Sequence, residues 1–438
     1  MVISDTIMIF LIALVNCHFF DKNRDGACTQ PLQKAFIAEK IRRLRLSATL
    51  FLKNVLINFG KLIGSLWPSN NSSLFLFFPF YHVGGAEKVH ADIVACVADR
   101  QPWVFITQDS LNDKFRFLFE EHAKITDISR FTRNKLLFYI YLGVLAHVIN
   151  RKKDAVVFGG NSYIFYCLLP YLKPHIKCID LLHAFGGGVE DLSLHYVARL
   201  DRRVVITQNT LTLLREQYIS HGVDESYLGR VTLIQNKVDV PNNYPEKPIK
   251  NCLRVVYVGR GTEEKRVHLI ARAAFECQEK QIPVEFVLIG DVIGSVEEKF
   301  RTCCKFEGEI ANLSEINKFL VESDIIVLVS SREGFPVVIM EAMAYGVVPV
   351  STSVGGISTH VRHGENGYLI TTKSEDEIVN SLVEIIRDLV SNSTVLRSLS
   401  LNAYEYAKRN FNNATFCQSY RRLLIGEHLA KSTFRRKS

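Results

Sequence analysis

What this chain of 438 residues lacks narrows it before anything it contains does. Its ten cysteines include no C-x2-C pair and only one vicinal pair, Cys303-Cys304, so neither a zinc site nor a disulfide framework is expected. A reduced cytosolic compartment fits that pattern, and the sequons Asn70-Asn71-Ser72 and Asn413-Ala414-Thr415 then read as chance matches. No D-x-D pair occurs, so a divalent ion held between two aspartates is not expected. No G-x-G-x-x-G with a following acidic residue stands where a dinucleotide fold would need it, which argues against a dehydrogenase. Long apolar runs are missing too. Residues 7–15 are apolar but fall short of the roughly 20 that a span requires, and no basic segment precedes them. They read as a buried or interfacial helix, or as sequence ahead of a start placed farther in.

The net charge of +8 is unevenly spread. Residues 1–73 and 421–438 each carry an excess of five positive charges, leaving the body between them at about −2. From Lys34 to Trp67 the residues Ile37, Ile41, Leu44, Ala48, Phe51, Val55, Phe59 and Leu62 recur at three- and four-residue steps. Lys40, Arg42, Arg43, Arg45, Lys53 and Lys61 fall mostly off that stripe. A basic amphipathic helix of this kind suits an anionic membrane surface, and equally a helix packed on the domain that follows. The tail Arg435-Arg436-Lys437 would add to membrane attraction.

A chain this long exceeds one ordinary core, and strands alternating with helices twice over point to two doubly wound parallel sheets. The first half is read as 74–240, with strands at 74–79, 103–107, 155–158, 177–182, 204–206 and 231–234 and helices between them. Pro241 to Pro248 opens a linker over 241–251. The second half, 252–409, takes strands at 253–259, 284–289 and 325–329, a short one ending at Glu307-Gly308, and helices at 267–279, 296–304 and 313–322.

The stretch Ser331 to Gly346 carries the chemistry. Ile325 to Val329 reads as a buried strand, Pro336 suits a first helical position and Gly346 ends the helix. Glu333 then lies in the loop at a strand's carboxyl end, where open α/β sheets bind ligands, and Glu341 lies between one and two turns into the helix. The free N–H groups of that helix start favour an anion such as a diphosphate. A carboxylate beside an anion site is explained by adjacent hydroxyls of a ribose or hexose. Spacing alone leaves open a surface glutamate pair on an ordinary βα unit. Arg260 and Lys265 stand just past another strand end, where a forked and a point charge can neutralise a diphosphate in place of a metal. Gly84-Gly85 follows the first strand, so backbone N–H groups there can approach a phosphate or sugar. His183 closes the strand at 179–182, ahead of the flexible Ala184 to Gly188 loop.

The two glutamates, with Val348 to Ser351, Val354-Gly355-Gly356 and His363 to Leu369, resemble the E-x7-E region of retaining GT4 glycosyltransferases. Val255 to Arg260 followed by Lys265 is similar to that family's phosphate-binding strand end, and Gly84 to Lys88 to its N-terminal glycine loop. The resemblance covers roughly 74–425. It implies the GT-B fold, two Rossmann-like domains facing a central cleft, here with a helical N-terminal extension (1–73) and a crossover helix and basic tail (410–438). It also implies a hexosyl transfer from a nucleotide-diphosphate sugar, with retention, to a hydroxyl of a lipid-linked or polysaccharide acceptor. No cofactor, metal or nucleic acid enters that scheme, and the cytosolic membrane face is the expected setting.

By the same resemblance Glu341 would bind the ribose, Glu333 the donor hexose, and backbone N–H groups around Gly334, Phe335 and Pro336 would assist. His183 would contact the donor sugar; Arg260 and Lys265 would stabilise the leaving diphosphate. The chain departs from the family at Arg266 and Lys237, where glycine is common, and at Thr359, where an acid is frequent. A sugar-nucleotide epimerase on the same fold and a non-catalytic membrane-bound nucleotide scaffold stand as the alternatives.

Overall fold

The computed structural model describes residues 31–67, 71–247, 252–411 and 413–426. The apolar run at 7–15, the basic tail, the side chains of Lys40 to Arg45 and the linker residues 248–251 lie outside them. The chain divides into two units, one ending at Leu56 and one running from Ile57 onward. Among the described residues, no helix is long and apolar enough to cross a membrane.

The larger unit holds two sheets. The first contains β1 (Leu74–Phe78), β2 (Trp103–Ile106), β3 (Lys124–Asp127), β4 (Val156–Gly160), β5 (Lys177–Leu182), β6 (Arg202–Val205) and β7 (Val231–Leu233). The second contains β8 (Leu253–Val258), β9 (Val284–Ile289), β10 (Cys304–Gly308), β11 (Ile325–Leu328), β12 (Val348–Thr352) and β13 (Tyr368–Ile370). Their orders are β3-β2-β1-β4-β5-β6-β7 and β10-β9-β8-β11-β12-β13, parallel throughout. In both, the order reverses beside the first strand, which opens a crevice at the strands' carboxyl ends.

Burial on both faces explains the continuous apolar runs. Along β1, Leu74, Leu76 and Phe78 enter one core cluster while Phe75 and Phe77 enter another. Along β11, Ile326 and Leu328 join the first of these clusters and Ile325 and Val327 join a third. One cluster therefore draws residues from both sheets. Beneath the first sheet, Arg203 on β6 donates to Asp180 on β5 at 2.7 and 3.1 Å and to the Tyr218 hydroxyl at 3.1 Å. Tyr166 donates to the same carboxylate at 2.9 Å, so this buried charge pair is fully bonded.

Boundaries moved where the sequence signal was weak. The helix expected at 296–304 shrinks to Glu298–Arg301, and Cys304 opens β10 instead. The edge strand β3 and the helix Val189–Leu194 were not expected, since β3 is half polar and both its ends are exposed.

From Ile57 onward, the helix Pro31–Ser65 crosses the helix Lys135–Asn150 with almost no side chain between them. A Cβ on Gly60 would stand 1.9 Å from the Ile140 carbonyl oxygen, and one on Gly143 would stand 2.0 Å from that of Ile57. The packed residues are Ile57, Gly60 and Gly64, while Phe59, Leu62 and Leu66 face outward. Of the stripe read from the sequence, Phe51, Val55, Phe59 and Leu62 are all exposed, the side chains of Ile37, Ile41, Leu44 and Ala48 lie outside the described residues, and the packing face is built from residues off the stripe.

The cysteine expectation is corrected. Cys96 and Cys417, 321 residues apart in sequence, are joined by a disulfide across a Cα separation of 5.1 Å. It ties the helix Asn413–Ile425 to the helix Gly85–Cys96, alongside an Arg421 to Asp99 ion pair at 2.6 Å. A bridge of this kind belongs to an oxidising setting, so cysteine usage no longer supports a reduced compartment.

Gly143→Val should force the crossing helices apart and cost about 3 kcal/mol of stability, read from the urea midpoint. A loss under about 0.5 kcal/mol, the range of an ordinary surface change, would show that the helices do not meet this closely.

Candidate functional site

The site lies where β8 and β11, neighbours in the second sheet, reach their carboxyl ends. The loops that follow are laced together. Ser331 N–H donates to the Glu264 carbonyl at 2.8 Å, and the Arg332 guanidinium reaches the Glu264 carboxylate at 2.8 Å. Arg266 donates to the Val329 and Ser330 carbonyls at 2.6 and 3.0 Å. Its φ of +49° explains why glycine is common there, and its guanidinium bonds offset that strain. The lacing brings Lys265 Nζ to 2.5 Å from Glu333 Oε1, which also accepts from Ser330 Oγ at 2.7 Å. Arg260 is exposed and its side chain makes no ion pair among the described residues. Its charge is felt by Tyr257, whose hydroxyl is pushed up by burial and then by Glu333 and drawn back by Arg260.

Glycines bring the loop carrying Glu333 into place. A Cβ on Gly334 would lie 2.2 Å from the His183 carbonyl oxygen, which comes from the first domain. Gly355, at φ +58°, would put a Cβ 1.9 Å from the Glu333 carbonyl, and Gly356 N–H donates to the Gly334 carbonyl at 2.6 Å. The Gly355-Gly356 turn therefore wraps the loop from one side while the first domain meets it from the other.

Beyond the loop, Pro336 caps the helix Val337–Ala344. One expectation is corrected here: Pro336 stands at the N-cap, one residue ahead of the first helical position. Pro336 has no N–H to offer, so the free donors of this helix start come from its neighbours. The Phe335 ring is 6% exposed and stacks on His360 at 4.2 Å, so it belongs to the core and only its backbone is available. Glu341 lies farther along the same helix, and Lys88 of the first domain pairs with its carboxylate.

The glycine loop also has a different neighbour from the one expected. Gly84 is extended, and a Cβ there would lie 2.1 Å from Glu87 Oε2. The buried Glu87 carboxylate fills the space beside Gly84 at this helix start, where burial raises its affinity for a proton. Gly85 is open except toward Val337, 3.8 Å away across the cleft. His82, judged less well placed from sequence, is buried 3.7 Å from Glu87, and both lie within the field of Arg260. His195 is elsewhere: with Tyr196, Arg199 and Arg230 it lines a groove of about 730 Å³ at the opposite ends of the strands.

His183 directly follows β5, and its Nε2 is committed to His90 Nε2 at 2.8 Å. His90 is fully buried and stacked on Phe78 at 4.2 Å. Burial pushes His183 down to about 4, so near neutrality the pair is uncharged and one ring donates to the other. Sequence reasoning missed Lys88, His90 and Ser330. Lys88 sits inside the glycine-loop motif and Ser330 beside Glu333, whereas nothing in the sequence marked His90.

Residues 252–388 match the family model described as glycosyl transferases group 1. The chain is 23% identical over 279 residues to the N-acetyl-alpha-D-glucosaminyl L-malate synthase of Bacillus anthracis, covering 58% of this chain and 69% of that protein. It is 27% identical over 221 residues to the UDP-Gal:alpha-D-GlcNAc-diphosphoundecaprenol alpha-1,3-galactosyltransferase of Escherichia coli, covering 48% of this chain and 55% of that one. Among solved structures, Anabaena Alr3699/HepE in complex with UDP-glucose superposes with a TM-score of 0.64 at 20% identity. That likeness, over 81% of this chain and 99% of the other, concerns the fold.

Burial holds both His183 and His360 down to about 4, against 6.5 for a free imidazole. The unfolded chain therefore binds protons between these values that the folded one refuses. Stability should be complete above pH 6.5 and fall as pH drops toward 4, as followed by denaturant midpoints. His360→Gln should flatten part of that fall; an unchanged profile would remove His360 as a contributor.

Proposed function

Since the chain is a glycosyltransferase of the GT-B fold whose residues 252–388 match the group 1 glycosyl transferases, we propose that it transfers a hexosyl unit, with retention, from a nucleoside-diphosphate sugar to a hydroxyl of a lipid-linked or polysaccharide acceptor. Cell-surface glycan synthesis is the setting this reading suits. A relative named for UDP-Gal and a diphosphoundecaprenol acceptor, and a structural neighbour holding UDP-glucose, favour a uridine diphosphate donor and a lipid-linked acceptor.

One observation carries the assignment: Lys265 is bound to Glu333 at the mouth of an interdomain cleft, and Arg260, past the same end of β8, stands exposed with no ion pair among the described residues. Arg260 forks onto diphosphate oxygens, and Lys265 adds a point charge from the far side of Glu333. Glu333 accepts from hexose hydroxyls and Glu341 from ribose hydroxyls. The bond between the anomeric carbon and the phosphate oxygen breaks as the acceptor oxygen bonds to the same face. The acceptor's proton passes to a departing phosphate oxygen. His183, backed by His90, borders the donor sugar as a neutral hydrogen-bonding group. The outward Phe59 and Leu62 of the first helix and Leu66 just past its end, with Lys61 beside them, rest on an anionic membrane surface.

Lys265→Ala and Glu341→Gln should each cut transfer from UDP-glucose or the preferred donor by about 10²- to 10³-fold, the usual effect of removing one electrostatic group. A screen of UDP- and GDP-sugars for thermal stabilisation identifies that donor first. Near-normal transfer by both variants would remove the site assignment. Replacing Phe59, Leu62 and Leu66 together by Ser should release the protein from vesicles rich in anionic lipid, and undiminished co-sedimentation would remove the membrane contact.

A further inference from the structure

Lys88 stands on the helix Gly85–Cys96 of the first domain, and its ammonium pairs with Glu341 Oε1 on the helix Val337–Ala344 of the second. The two side chains are only 20% and 16% exposed, so water and salt screen this pair far less than a surface one. Glu341 Oε2 takes no hydrogen bond among the described residues. Burial works against the Lys88 ammonium, but the Glu341 carboxylate outweighs it, and Asp92 and Asp239 add to the attraction. Asp92, one turn along the same helix, is itself bound by Lys237 at 2.9 Å. Lys237, Asp92, Lys88 and Glu341 thus form a row of alternating charge that runs from one domain into the other. This also accounts for the lysine at 237 where glycine is common: it neutralises Asp92, which would otherwise compete for Lys88.

We propose that Lys88 is a positioning residue for the donor nucleotide: it grips Glu341 by Oε1 in one rotamer and leaves Oε2 turned out to accept the ribose hydroxyls. This rests on the assignment of Glu341 to the ribose given above. A glutamate without such a partner would have to order three side-chain torsions on binding. The ammonium fixes them beforehand and keeps the carboxylate ionised, the form that only accepts. The grip also spans the cleft, so nucleotide affinity depends on a residue of the opposite domain.

The test uses the full chain with Lys88→Gln, Lys88→Arg, Glu341→Gln and the double Lys88→Gln/Glu341→Gln variant. Binding of UDP, 2′,3′-dideoxy-UDP and inorganic diphosphate is measured by calorimetry, with UDP-glucose kinetics alongside. Lys88→Gln should weaken UDP about tenfold, as expected for one charged hydrogen bond, and the other two probes less than about twofold. The KM for the donor should rise more than kcat falls, Lys88→Arg should recover most of the loss, and the double variant should bind UDP no more weakly than Glu341→Gln. The double variant removes both charges together, so it remains informative if Lys88→Gln alone unfolds. Additive losses, equal weakening of all three probes, or tighter UDP binding by Lys88→Gln would each overturn the proposal while leaving Glu341 at the ribose. If Glu341→Gln binds UDP and the dideoxy analogue with the same loss, the ribose assignment itself falls and the role of Lys88 falls with it.

Discussion

Each of the two motif carboxylates is matched by one lysine, and that matching sets the electrostatics of the cleft. Glu333 is answered from the adjacent loop by Lys265, and Glu341 from the opposite domain by Lys88. Carboxylates partly withdrawn from water need such partners, because an unpaired buried charge costs several kcal/mol. With the pairs balanced, the guanidinium of Arg260 and the start of the helix at Val337 supply the excess positive potential. That excess suits an incoming diphosphate, and it arises without any metal-binding cluster among the described residues.

The fold was legible wherever a run of apolar residues had to be buried on both faces. The strands β1, β5, β8 and β11 came through because a doubly covered parallel strand has little room for polar side chains. The edge strand β3 did not, since Lys124 and Asp127 read as loop. Within the site, Glu333, Lys265 and Arg260 were legible because each follows a strand end, and strand ends of a doubly wound sheet share one crevice. Pairings across the fold were not. Lys88 and Glu341 are 253 residues apart, His90 and His183 are 93 apart, and periodicity marks which residues are buried without saying beside what.

Two glycine motifs turn out to do different physical work. Gly355-Gly356 and Gly334 permit backbone to touch backbone, so the loop that carries Glu333 is held by main chain from both domains. Gly84 makes room for the Glu87 carboxylate, which occupies the anion position of its own helix start. The two histidines behind the cleft make a similar substitution of protein for solvent. Burial strips both of charge, so their contribution is a neutral, directional contact.

The chain passes between the sheets twice, once after β7 and again before the helix Asn413–Ile425, and these passages are adjacent: Val238 N–H donates to the Phe411 carbonyl at 3.5 Å. The returning helix is then riveted to the first domain by Cys96–Cys417 and by Arg421 with Asp99. With the crossings side by side and the returning helix anchored on the first domain, main chain joins the two halves along one short edge, and the rest of the cleft between them is spanned by side-chain pairs such as Lys88 with Glu341.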